Sequence, residues 1–111
     1  MQHARAELLE YLKSADLKLP PNPVELEFLI HFIFDDHDFV PSSTRLVGSI
    51  LLDTNEASAV DDFVGALDCA IGPRDQPIPN LSERDWSPVR RAARVALTLL
   101  VRSGEAKYTS G

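Results

Sequence analysis

Apolar residues recur along this chain in two rhythms. Between residues 3 and 17 they fall at helical spacing: Ala4, Leu8, Tyr11, Leu12 and Ala15 make one stripe, with Glu7, Glu10, Lys13 and Ser14 off it. A first helix is expected there. It ends before Pro20-Pro21-Asn22-Pro23, because proline lacks an amide donor and clashes with the preceding turn. From Val24 the rhythm shortens to two. Val24, Leu26, Phe28, Ile30, Phe32 and Phe34 share one face of an extended chain, and Glu25, Glu27, Leu29, His31 and Ile33 the other. Aromatic and β-branched residues favour a strand over this run. Beyond Pro41, Arg45–Leu52 reads as a second strand, kinked or closely packed at Gly48, pairing antiparallel with the first across an acidic loop.

The helical rhythm then returns. Asp53-Thr54-Asn55 offers N-caps with Glu56 in the first turn, and Ala57, Val60, Phe63, Val64, Leu67 and Ile71 form a buried face closed by Gly72-Pro73. Asp61, Gly65 and Asp68 follow at i, i+4 and i+7 on one flank of that helix, with Asp62 further round. Residues 73–84 have no period. Ser87 followed by Pro88 reads as an N-cap and first helical position, opening a last helix to about Ser103 before Gly104. Val89, Ala92, Ala93, Ala96, Leu97 and Leu100 face its core side, and Arg91, Arg94 and Arg102 its outer side. The expected fold is therefore α+β, in the order α-β-β-α-α, a small antiparallel hairpin covered by three helices. It forms one domain over 1–104 with 105–111 as a flexible tail. A two-stranded sheet is marginal alone, so helices cover it or a second copy extends it; a homodimer is as consistent with this as a monomer.

Composition narrows the class. The 111 residues are 44% apolar and 25% charged, ordinary for one globular domain. No apolar run approaches the ~20 residues of a membrane span, and the first ten residues carry acids where a signal peptide has its apolar stretch. A cytoplasmic protein with no membrane contact is expected. Cys69 is the only cysteine, which excludes an intrachain disulfide and a multi-cysteine zinc site. Residues 1–72 carry 13 acids and 4 Lys/Arg, a net −9, while 73–111 carry 4 and 7, a net +3, which together give the chain's −6. That balance argues against nucleic acid as a partner, because phosphate binding needs cations. The asymmetry between the two parts fits a solvated surface with internal charge pairing, or an acidic face that steers a partner with a basic surface.

The acidic run Asp35-Asp36-His37-Asp38 is the sharpest chemical feature. Carboxylates after an apolar segment suit Mg²⁺ or Ca²⁺, which take oxygen ligands. With its neighbours the run resembles the first motif of haloacid-dehalogenase-type phosphatases, Asp-x-Asp-x-Val at Asp36, Asp38 and Val40. The resemblance implies Asp36 as nucleophile and Asp38 as acid/base. That fold needs several βα units and a later lysine, whereas the only lysines here are Lys13, Lys18 and Lys107. The calcium-loop pattern lacks its glycine and terminal glutamate. The plainer reading is a soluble connecting loop with turn-capping aspartates. His31 reads as a hydrogen-bonded sheet residue, Cys69 as structural or incidental among acids that disfavour a thiolate, and Trp86 as a staple at the start of the last helix, or a binding anchor if exposed. No phosphate loop, H-E-x-x-H or G-x-S-x-G motif is present.

Phe32-x-Phe34-Asp35-Asp36, then Val47-Gly48-x-Ile50-Leu51, then an acidic-start helix and Trp86 before an Ala/Leu-rich helix resemble a family of small bacterial proteins of actinobacterial type with no assigned function. The resemblance covers about residues 25–100 and carries over no catalytic residue. The expectation is a non-enzymatic acidic binding protein without cofactor or metal, in its most concrete form an immunity protein that neutralises a cognate bacterial toxin. Asp35, Asp36, Asp38, Asp61, Asp62 and Asp68 are the expected contact set. A divalent-metal hydrolase using the Asp35–Asp38 loop, and a self-associating structural domain, are the alternatives.

Overall fold

A computed structural model describes residues 2–17, 19–37, 39–40, 42–73, 77–78 and 80–109, with side chains described between 4 and 103. Four α-helices carry the chain: α1 (Gln2–Ala15), α2 (Pro23–Ile30), α3 (Thr54–Ile71) and α4 (Glu83–Thr109). A π-helical turn (His31–Asp36) continues α2, and a 3-10 turn (Ser43–Leu46) precedes α3. Helix α4 is the common partner, packing on α3 and on α1, while the 3-10 turn sits on α3.

The α+β expectation is overturned: the described residues contain no strand and no sheet, and so no hairpin and no sheet edge for a second copy to extend. The first expected strand is helical for a local reason. Asn22 caps α2, its side-chain oxygen accepting from the Glu25 amide at 2.8 Å, and Pro23 takes the first helical position. Apolar residues occupy nearly every place from 28 to 34, so both periods fit the run. The helical one decides burial: Leu26, Leu29 and Ile33 lie at i, i+3 and i+7 in the core with Phe32, whereas Val24 and Phe28, on the supposed buried strand face, are each 62% exposed. His31 accordingly lies on a helical turn, exposed, and not in a sheet.

The second expected strand folds back on itself. The Leu46 carbonyl accepts from the amides of Ser49, Ile50 and Leu51 at 3.1, 3.0 and 2.9 Å, and Gly48 turns the chain at φ 96°. One isolated bridge, Val47 to Leu51, is all the extended pairing it makes.

The three long helices follow their apolar stripes. Leu8, Leu12 and Ala15 of α1, and Ala57, Val60, Phe63, Val64, Leu67 and Ile71 of α3, are buried. Asp53 caps α3 by accepting from the Glu56 amide at 2.9 Å, and Gly72, at φ 71°, ends it by donating to the Asp68 carbonyl. Helix α4 starts five residues before Pro88. Ser82 and Asp85 cap it reciprocally, the Asp85 amide donating to Ser82 Oγ at 3.1 Å and the Ser82 amide to Asp85 Oδ2 at 3.2 Å. Pro88 therefore lies inside the helix, and α4 continues through Gly104. Val89, Ala93, Ala96 and Leu100 form its buried seam, the alanines allowing close approach of its neighbours.

Two polar clusters tie these helices together. Arg5 of α1 makes a bidentate pair with the fully buried Glu56 of α3, both bonds 2.9 Å, and donates to the carbonyls of Ile50 and Leu100. At the other end of α1, buried Trp86 donates its indole N–H to the Ala15 carbonyl at 2.9 Å, and Arg90 donates to the Asp16 carbonyl at 2.9 Å. Side chains of α4 thus satisfy carbonyls left over at the α1 terminus.

Candidate partner surface

Six aspartates were expected to form one contact set, and they start from different local positions. Asp35 and Asp36 end the π-helical turn; Asp61, Asp62 and Asp68 lie along α3; Asp38 lies outside the described residues. Between the π-helical turn and α3 is a hollow of about 350 Å³, lined by Phe34, Phe39, Val40, Asp61, Val64, Gly65 and Asp68. Its walls are mostly apolar, with one carboxylate a turn before Gly65 and the other a turn after. The π turn makes this wall. Phe32, at its base, packs its ring 4.8 Å from Tyr11 of α1 and 5.7 Å from Phe39, which borders the hollow.

The aspartates are not equivalent. Asp61 is half-buried and structural: its Oδ1 accepts from the Ser43 amide at 2.7 Å and its Oδ2 from the Ser42 hydroxyl at 3.3 Å, fixing the start of the 3-10 turn. Asp35 sits 2.6 Å from His31 Nδ1, with Glu27 on the other side of the imidazole at 3.7 Å. Asp36 is exposed on the α1 side. Burial pushes the Tyr11 phenol above its usual pKa, and the charges of Glu7 and Asp36 add to that. The neutral phenol's contribution is therefore complete below its ordinary pKa and is lost as pH rises through the raised one. Asp62 and Asp68 are exposed, and of these two only Asp68 borders the hollow.

Some of the fold's acids are charge-paired. Arg5 is taken by Glu56, Arg90 and Arg94 by Asp16, and Lys13 by Glu10. Among the described residues no basic side chain pairs with Asp36, Asp61, Asp62 or Asp68. Nor, among the described residues, is any group of three or more His, Cys, Asp or Glu placed to hold a metal ion. Cys69 is exposed on α3, and Trp86 is fully buried, so it is a core residue rather than a surface anchor.

Removing Asp61 by alanine should cost about 1–2 kcal/mol, the usual loss for a capping carboxylate that leaves a partly buried amide unpaired. Asp62→Asn and Asp68→Asn should stay within about 0.5 kcal/mol, as exposed substitutions do. Urea midpoints compare the three, and an Asp61→Ala midpoint equal to the others would remove its structural role. Gly65 behaves oppositely. A Cβ built there meets nothing within 4 Å, so Gly65→Ala adds helix propensity without a clash. The expected gain is about 0.5–1 kcal/mol, read as a rise in thermal midpoint of several degrees; a fall would mean that unseen packing needs the glycine.

Arg5 was not singled out by the sequence reading and Glu56 only as a first-turn acid, yet both are heavily bonded charges, with four and three hydrogen bonds. Each stands within an apolar stripe, Arg5 three and seven residues before Leu8 and Leu12, Glu56 four and seven before Val60 and Phe63. A charge at such a position is itself the signal of a buried pair. No family model, no curated protein and no solved structure matches this chain. No helix among the described residues is long and apolar enough to cross a membrane.

Proposed function

We propose that this chain is a non-enzymatic binding protein whose acidic face, spanning the π-helical turn and the outer flank of α3, docks a basic surface of a protein partner. The observation that carries the reading is an apolar hollow bordered by Asp61 and Asp68, with Asp36 and Asp62 exposed outside it, none of the four paired by a described basic side chain, while Arg5, Lys13, Arg90 and Arg94 pair with other acids. Apolar area supplies affinity, and uncompensated carboxylates supply steering and selection against acidic partners. In its most concrete form the partner is a basic, nucleic-acid-directed toxin, met in the cytoplasm, whose phosphate-binding cleft the acidic face fills.

The test is capture from a lysate of the source organism with two baits, the natural chain and an Asp36→Lys/Asp62→Lys/Asp68→Lys variant that spares Asp61. A basic protein retained at one-to-one by the first, released by moderate salt and lost from the second, is the expected result. A partner held equally by both baits would sink the reading, as would a bait that retains nothing.

A further inference from the structure

The hollow beside α3 has a shape that the charge argument alone does not require. Its lining combines Phe34, Phe39, Val40 and Val64 with two carboxylates, Asp61 and Asp68. Seven residues of helix separate those aspartates, about 10 Å along the axis. Between them stands Gly65, in the interior of an 18-residue helix, where glycine is unfavourable by about 1 kcal/mol relative to alanine. No close contact explains it: its absent side chain would meet nothing within 4 Å. What the glycine does is leave the floor of the hollow open.

Resting on the binding reading above, we propose that this hollow is a receptor for a single arginine side chain projecting from the basic partner. An arginine stem is apolar and its guanidinium is planar and weakly hydrated, so it lies against aromatic and aliphatic walls while keeping its charge. Half-buried Phe34 supplies an aromatic wall of the kind guanidinium groups favour, and Phe39, almost wholly buried, borders the hollow beside it. Asp61 and Asp68 supply an acceptor at either end. Asp61 is already held in place by the Ser43 amide, and each of its oxygens retains lone-pair capacity for a forked donor. A lysine ammonium, compact and strongly hydrated, gains less from such walls. At about 350 Å³ the hollow is near the bottom of the range for small-molecule sites, a size suited to one inserted side chain.

The experiment is an amide NMR titration of the ¹⁵N-labelled full chain with a capped glycine-arginine-glycine tripeptide. Its lysine and citrulline counterparts, and nona-arginine, serve as further probes. The same series is run on Gly65→Met, which fills the hollow without altering charge, and whose fold is checked by its spectrum. The arginine tripeptide should shift the amides of Phe34, Phe39 and residues 64–68 saturably. Lysine should bind several-fold more weakly and citrulline not measurably, and Gly65→Met should weaken the arginine tripeptide at least tenfold. If nona-arginine binds the acidic face but the tripeptide shifts are diffuse, or unchanged in Gly65→Met, the receptor is overturned while the acidic docking face stands. If neither arginine probe perturbs residues 34–40 or α3, both are overturned.

Discussion

Glu56→Ala should cost about 3–5 kcal/mol, the range for breaking a buried ion pair by removing one partner. Against a total of about 5–15 kcal/mol for domains in general, that is enough to leave a substantial unfolded fraction near physiological temperature. Glu56 is fully buried and accepts three hydrogen bonds, two from the Arg5 guanidinium and one from the Leu52 amide at 2.7 Å. Truncation leaves the guanidinium, only 19% exposed, with carbonyls but no counter-charge, and leaves the Leu52 amide unpaired. Coupling makes the site costly. Arg5 joins α1 to the turn at Ile50, to α3 and to α4, so its release loosens every helix that touches α4's C-terminal half. Arg5→Met combined with Glu56→Leu should recover part of the loss, because apolar replacement removes the unpaired charge; the carbonyls of Ile50 and Leu100 keep the recovery incomplete. Urea unfolding followed by circular dichroism measures all three. A single-mutant loss under 1 kcal/mol would show the pair to be solvated in solution.

The same stretch of sequence explains both where the fold was legible and where it was not. The stripes of α1, α3 and the part of α4 before Val95 identify their buried faces because polar residues fill the gaps between apolar ones, leaving one period that fits. Residues 28–34 have almost no such gaps, so alternation and helical spacing both fit. Capping chemistry breaks the tie: Asn22-Pro23 followed by Glu25 is a helix start, and it outweighs β propensity. Ser82-Glu83-Arg84-Asp85 is a second such start, masked by the Ser87-Pro88 signal just downstream. The turn over 46–51 was hard to read for another reason: Gly48 marks a bend, but the fold-back rests mainly on backbone bonds, the Leu46 carbonyl shared among three amides and the Gly48 amide donating to the Leu51 carbonyl, which leave little trace in the sequence.

The candidate site divides in the same way. Its α3 half is readable from Asp61, Gly65 and Asp68 at i, i+4 and i+7. Its other half depends on the π-helical turn, where one extra residue per turn changes which of Phe32, Phe34 and Phe39 go inward. No period in the sequence encodes that insertion. Asp61 illustrates a further limit: spacing puts it beside Asp68, but only the distance to the Ser43 amide shows that it is also a cap.

Trp86→Ala should be comparably severe, again about 3–5 kcal/mol, the usual cost of emptying a large aromatic site in a core. Trp86 is fully buried, and it works in two ways: its ring fills the junction of α1 and α4, and its indole N–H satisfies the Ala15 carbonyl. Trp86→Phe separates them. It keeps most of the packing, drops the donor and should lose about 1–3 kcal/mol for the unpaired carbonyl. The natural chain supplies its own reporter, since this is its only tryptophan; its emission should be blue-shifted when folded and move red in one step with urea. The variants are followed by circular dichroism, and hydrogen exchange at the amides of Leu12 to Ala15 reports the local effect. Loss of Trp86 should accelerate those amides more than it accelerates α3. Uniform acceleration would mean that α1 has no independent hold on α4. Because Arg5 anchors the other end of α1, Trp86→Ala and Glu56→Ala act on one docked helix. Their combined loss should fall short of the sum, since α1 can be released only once. Strict additivity would place the two clusters in separate cooperative units.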